Sequence, residues 1–124
     1  MEGIYNKTIL DSGLTVITEQ ISYSPISSIG VFIKAGSVVE SEENNGICHF
    51  IEHMVFKGTK NRTSYDISYE IERKGGYLNA YTSFDRTVYW VDTLQTGFAT
   101  ALDVVASLVS EAVFPEEEFE REKD

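Results

Sequence analysis

The chain has 124 residues, enough for one domain with a real core. Its hydrophobic content of 42% and charged content of 24% are those of an ordinary soluble globular protein. The net charge of −10 argues against nucleic acid or an anionic membrane as the main partner. A single cysteine, Cys48, excludes an internal disulfide and points to a reducing, cytoplasmic setting. No stretch has the form of a signal peptide or is long enough to span a bilayer.

In chain order, Ile4 to Leu10 and Leu14 to Glu19 read as strands joined by the polar turn Asp11-Ser12-Gly13, a hairpin. Ser24-Pro25 punctuates, and 26–35, with Ile29, Val31, Phe32 and Ile33, is a third strand. A polar loop, 40–45, leads through Gly46 into a helix over about 47–57, stopped by Gly58-Thr59. Thr63-Ser64-Tyr65-Asp66 resembles a capping box with Asp in place of the usual Glu or Gln. The helix it opens runs to about Lys74, and Gly75 suits the left-handed position that ends it. Strands at 77–83 and 86–94 form a second hairpin around Phe84-Asp85. The longest helix is predicted over about 97–113, with Phe98, Leu102, Val105, Leu108, Val109 and Ala112 as its apolar stripe. Pro115 fits the first position of a last helix, with Glu116, Glu117 and Glu118 at its positive end. Residues 111–124 hold seven acids against Arg121 and Lys123, so half of the net charge sits there, most simply as a solvated face. The order β-β-β-α-α-β-β-α-α indicates an α+β fold, with helices packed on one face of a largely antiparallel sheet.

One pentapeptide carries chemistry. His49-Phe50-Ile51-Glu52-His53 reads H-x-x-E-H and holds both histidines of the chain. At about 100° per residue, His49 and His53 share a helix face, and Glu52 falls about 60° to the other side of His49. Two imidazoles so placed are the usual protein half of a zinc site. A carboxylate beside them can take a proton from an attacking water. Chance placement on a helix surface is the competing reading. Phe50, Ile51, Met54 and Val55 point elsewhere and can anchor the helix, and Cys48, about 100° from His49, reads as a small packed residue.

Residues 46–59, G-I-C-H-F-I-E-H-M-V-F-K-G-T, resemble the signature of the pitrilysin-type zinc metallopeptidases, the inverzincins. The resemblance continues through Gly75-Gly76, Asn79-Ala80, Thr82, Thr87 and Tyr89, reaches Phe119-Glu120-Arg121-Glu122-Lys123, and covers essentially the whole chain. Within the family it is nearest the subgroup of the mitochondrial processing peptidase and its bacterial relatives. It implies Zn²⁺ as cofactor, His49 and His53 as ligands and Glu52 as general base. It puts a third ligand, a glutamate, just beyond Asp124, and an accessory catalytic glutamate at Glu122. The 124 residues then read as the N-terminal part of a longer peptidase domain, cut before its metal site is complete. It also implies a peptide substrate paired with a sheet edge at Asn79 and Ala80, although the residues alone favour an ordinary hairpin there. Arg73 and Lys74 could steer an acidic substrate, but exposed charges at a helix C-terminus are the default. A homologous domain or subunit would complete the peptidase chamber, and an exposed edge favours self-association. The function implied is a zinc endopeptidase acting on extended or unfolded peptides. The alternative is a non-catalytic peptide-binding or structural subunit of the same fold. A closed structural zinc site would normally show four ligands and no spare glutamate.

Overall fold

A computed structural model describes residues 3–123; Asp124, counted in the acidic stretch above, lies outside them. Strands β1 (Ile4–Ile9) and β2 (Thr15–Gln20) pair antiparallel as a hairpin of their own, with every residue exposed. Strands β3 (Ile26–Ile33), β4 (Tyr77–Thr82) and β5 (Thr87–Leu94) form an antiparallel sheet in the order β3-β5-β4. β5 is therefore central, and both β3 and β4 are edges among the described residues. The helices are α1 (Ile47–Val55), α2 (Ser64–Glu72), α3 (Phe98–Glu111) and α4 (Glu116–Lys123). The α+β reading holds, with the antiparallel pairing divided between two small sheets rather than one.

The core lies between the helices and one face of the three-stranded sheet. Ile67 and Ile71 of α2 meet Ala101, Val104, Val105 and Leu108 of α3 over Val91 of β5, and Ile29, Val31 and Leu78 pack against them. The strongly β-forming run of β5 explains its central place: Val88, Tyr89 and Val91 are all buried, and neighbours flank the strand on both sides. Of the six residues of the predicted α3 stripe, two are buried. Val105 and Leu108 are buried, but Phe98 and Leu102 are 43% and 47% exposed, and Ala101 and Val104 take their place inside. The helix is apolar over a wider arc than one stripe, and its partners select the part that is covered.

Local signals hold more firmly. Thr63 and Asp66 form the reciprocal capping box, with Thr63 N–H donating to Asp66 Oδ2 at 2.9 Å and Asp66 N–H to Thr63 Oγ1 at 3.1 Å. Gly75 has φ +73°, and Gly76 N–H donates to Ile71 O at 3.0 Å, closing α2 as expected. Pro115 stands one place before the expected position: its carbonyl accepts from Phe119 N–H at 2.9 Å, and the helix proper starts at Glu116. Gly36 lies so close to the backbone carbonyls of Ser83 and Phe84 that a Cβ there would meet them. This contact brings the loop before α1 against the end of β4.

Candidate metal centre

Helix α1 starts at Gly46, which has no side chain to cap it. Glu40, six residues upstream, does so instead: its two oxygens accept from Gly46 N–H at 3.0 Å and Cys48 N–H at 2.8 Å. Those two bonds hold the Glu40 carboxyl below its ordinary range. Met54, fully buried, and Val55 anchor the helix, and Phe50 meets Phe119 of α4 edge-on with ring centroids 5.2 Å apart. Ile51, expected as a fourth anchor, is exposed. Cys48 turns away from the histidines, its Sγ 3.5 Å from Gly36 O, and burial followed by Glu40 raises its thiol.

The helix brings its three polar groups together. His49 Nε2 and His53 Nε2 are 3.0 Å apart, and the donor atoms of His49, Glu52 and His53 all lie within 4.8 Å of one another. Two nitrogens that share a zinc ion at about 2.0–2.1 Å in tetrahedral geometry are about 3.3 Å apart, so the pair is already close to the spacing a metal needs. Both imidazoles are exposed on the site side, whereas Glu52 is 9% exposed and accepts a short hydrogen bond from Thr82 Oγ1 at the end of β4. Two open nitrogens beside a buried carboxylate fit a zinc ion that keeps a position free for substrate. Glu122 on α4 sits behind His53, with its Oε2 3.1 Å from His53 Nδ1. Lys57 Nζ is 3.2 Å from Glu122 Oε1 and 3.8 Å from Glu118 Oε2. Lys57 first, then His53, lowers the Glu122 carboxyl below its ordinary range. With Glu122 ionised, the proton of a neutral His53 belongs on Nδ1, and its Nε2 lone pair faces His49.

Asn79 and Ala80 lie on β4, an edge strand whose last residue, Thr82, touches Glu52. The Ala80 N–H is occupied: Asn79 Oδ1 accepts from it at 2.8 Å, and Asn79 Nδ2 donates to Tyr77 Oη at 3.2 Å. A shallow groove lined by Ser37, Asn45, His49, Thr82, Ser83 and Phe84 runs from the end of this strand to His49. Arg73 lies over the Tyr69 ring, 5.7 Å from its centroid, on the outer face of α2.

Three residues of this arrangement were given no role from the sequence: Glu40, and Lys57 and Thr82, which stood only within the motifs of the resemblance. Glu40 gave no signal at a capping distance of six residues. Lys57 did, since it lies four residues after His53 and opposes an i, i+4 pair of acids. Thr82 faces inward with Leu78 and Ala80, a polar group on the core side of a strand.

Comparison with known proteins places this fold and its H-x-x-E-H helix in a peptidase family. The sequence profile "Insulinase (Peptidase family M16)" matches residues 15–124, and the chain belongs to that family. It is 43% identical over 115 residues to mitochondrial-processing peptidase subunit beta of Saccharomyces cerevisiae, covering 93% of this chain and 25% of that protein. The human subunit beta is also 43% identical, over 116 residues, covering 94% of this chain and 24% of that protein. A crystal structure of a protease from Helicobacter pylori superposes with a TM-score of 0.92 at 30% identity, covering 99% of this chain and 30% of that one. The chain thus spans about a quarter of the length of the curated relatives it matches. The names of those relatives overturn the expectation of a cytoplasmic protein. That expectation rested on one unpaired thiol, and a lone cysteine does not distinguish one reducing compartment from another. Among the described residues no helix is long and apolar enough to cross a membrane.

Proposed function

We propose that this chain supplies the metal-binding helix and the adjacent substrate edge of a zinc-dependent endopeptidase acting on extended peptides. The observation that carries the reading is the meeting of His49 Nε2 and His53 Nε2 at 3.0 Å beside the buried Glu52 carboxylate. A zinc ion held by these nitrogens would polarise the scissile carbonyl and make water a usable nucleophile near neutral pH. The residues of the chain do the rest. Thr82 fixes one oxygen of Glu52 and leaves the other to accept the proton of the attacking water. Glu122 keeps the His53 proton on Nδ1 and the other ring nitrogen free. β4 offers its outer edge to an extended backbone, with affinity that depends little on side-chain sequence. Asn79 Oδ1 must then release the Ala80 N–H to the peptide, so Asn79 covers an otherwise exposed donor until substrate arrives.

The third ligand, an anionic one placed after position 124 by the family resemblance, belongs to the same proposal, as does a homologous subunit or domain closing the chamber. The relatives' names as beta subunits support such a partner.

Glu52→Gln tests the assignment in the full-length polypeptide. It should retain zinc but lose about 10²–10⁴-fold in turnover, the usual contribution of a positioned general base. His53→Ala should lose the metal itself. Near-normal hydrolysis by a zinc-loaded Glu52→Gln protein, with metal content and peptide cleavage measured side by side, would sink the general-base role.

A further inference from the structure

Lys57 stands outside the H-x-x-E-H motif, yet its ammonium completes a chain of contacts that ends at the histidines. Lys57 lies in the turn just past the end of α1, four positions after His53, and Glu118 and Glu122, four positions apart, stand on one face of α4, one turn apart. His53 near the end of α1 and Lys57 in the turn after it both face that side of α4. Glu122 is held at both oxygens: Oε1 takes Lys57 Nζ at 3.2 Å, and Oε2 takes His53 Nδ1 at 3.1 Å. The same ammonium reaches Glu118 Oε2 at 3.8 Å and offsets the repulsion between two carboxylates stacked on α4. All three side chains are partly covered, with exposures of 26 to 30%, so water screens the contacts less than on an open surface.

A carboxylate held by one partner can turn about its last bond and offer either oxygen, or neither. One held at both oxygens cannot. Resting on the zinc-site reading above, we propose that Lys57 is a positioning residue of the metal centre: by pinning Oε1 of Glu122 it leaves Oε2 aimed at His53 Nδ1. The proton of His53 is thereby confined to the nitrogen that faces away from the metal position. A lysine that only docked α4 on α1 would leave the tautomer of His53 indifferent to which oxygen it pins.

Two measurements on the 124-residue chain separate these roles. Long-range ¹H–¹⁵N NMR of the imidazoles, in metal-free protein above the imidazole titration range, reads the His53 tautomer without requiring zinc. The wild type should show the Nδ1–H form, Lys57→Met a mixture with Nε2–H, and Lys57→Arg the wild-type form. Titration with zinc against a competing chelator should show about 10-fold weaker binding for Lys57→Met, within the range expected when a partner of a ligand is lost. Because Lys57 acts through Glu122, Lys57→Met combined with Glu122→Gln should bind no more weakly than Glu122→Gln alone. Circular dichroism establishes that each variant is folded, and Lys57→Gln replaces Lys57→Met should the latter unfold. Wild-type tautomer and wild-type zinc affinity in a folded Lys57→Met or Lys57→Gln overturn the inference. Additive losses in the double variant overturn the route through Glu122. Absence of zinc binding by the wild type with the tautomer shift intact counts against the metal reading, while the Lys57–Glu122–His53 coupling stands.

Discussion

Tyr89 lies beneath α1, on the helix side of the central strand, and its phenol is pushed up to about 12. Burial is the larger cause, followed by the charges of Glu52 and Cys48, all of which disfavour the phenolate. An unfolded chain would ionise the same group near 10. The folded state therefore holds its proton longer, and the stabilisation is complete below pH 10 and lost as pH rises toward about 12. At most about 2 to 3 kcal/mol is at stake. Urea unfolding from pH 8 upward should show wild-type stability falling below that of Tyr89→Phe as pH climbs; parallel curves would refute the assignment. At this scale the legible residues were those whose partners are near in sequence. His49, Glu52 and His53 are set by helical spacing alone. Thr82 meets Glu52 across 30 residues, and no local pattern encodes that distance.

The element on which the site depends is α1, and its start is held from outside itself. Gly46 adopts φ +87°, which suits glycine, and leaves the first turn without a side-chain acceptor. Glu40 supplies that acceptor, and its charge also complements the positive end of the helix. Because the Glu40 carboxyl titrates below its ordinary value, its contribution is present above the unfolded value and is lost as pH falls through the lower, folded one. Glu40→Gln should therefore melt at a lower temperature than the wild type at neutral pH, with the two melting temperatures converging in acid. A gap that persists unchanged to low pH would place the effect elsewhere. Turn and cap chemistry was legible for α2 because Thr63, Asp66 and Gly75 act within a few residues. The buried face of α3 was not. Phe98, Leu102 and Val109 share a helical spacing with Val105, but α2 and β5 cover Val105 together with Ala101, Val104 and Leu108 and leave the other three exposed.

Across the whole molecule, element order and the two hairpin pairings, β1 with β2 and β4 with β5, were readable from periodicity and breakers, whereas the partner of β3 was not. Pairing is a long-range choice, and β3 reaches β5 across more than fifty residues to make a sheet with two free edges among the described residues. The β1–β2 hairpin leaves Ile4, Tyr5, Ile9 and Ile17 all more than 60% exposed, and a two-stranded hairpin has little stability of its own in water. Phe98 and Leu102 add apolar surface on α3. Open strand edges and apolar surface of this kind favour association, by edge pairing or by burial against another copy. The net charge of −10 opposes it, but much of that charge lies at the C-terminal end of the chain. The 124-residue chain should therefore form dimers or larger species in sedimentation velocity runs, with the weight-average coefficient rising with concentration. Lys substituted for Tyr5 and Ile17 on the hairpin should shift the distribution toward monomer. Both residues are exposed, so the core between α2, α3 and β5 should melt as before. A monomer at all concentrations with one cooperative transition would mean that these surfaces are tolerated in water, and that the core of α2, α3 and the three-stranded sheet is sufficient by itself.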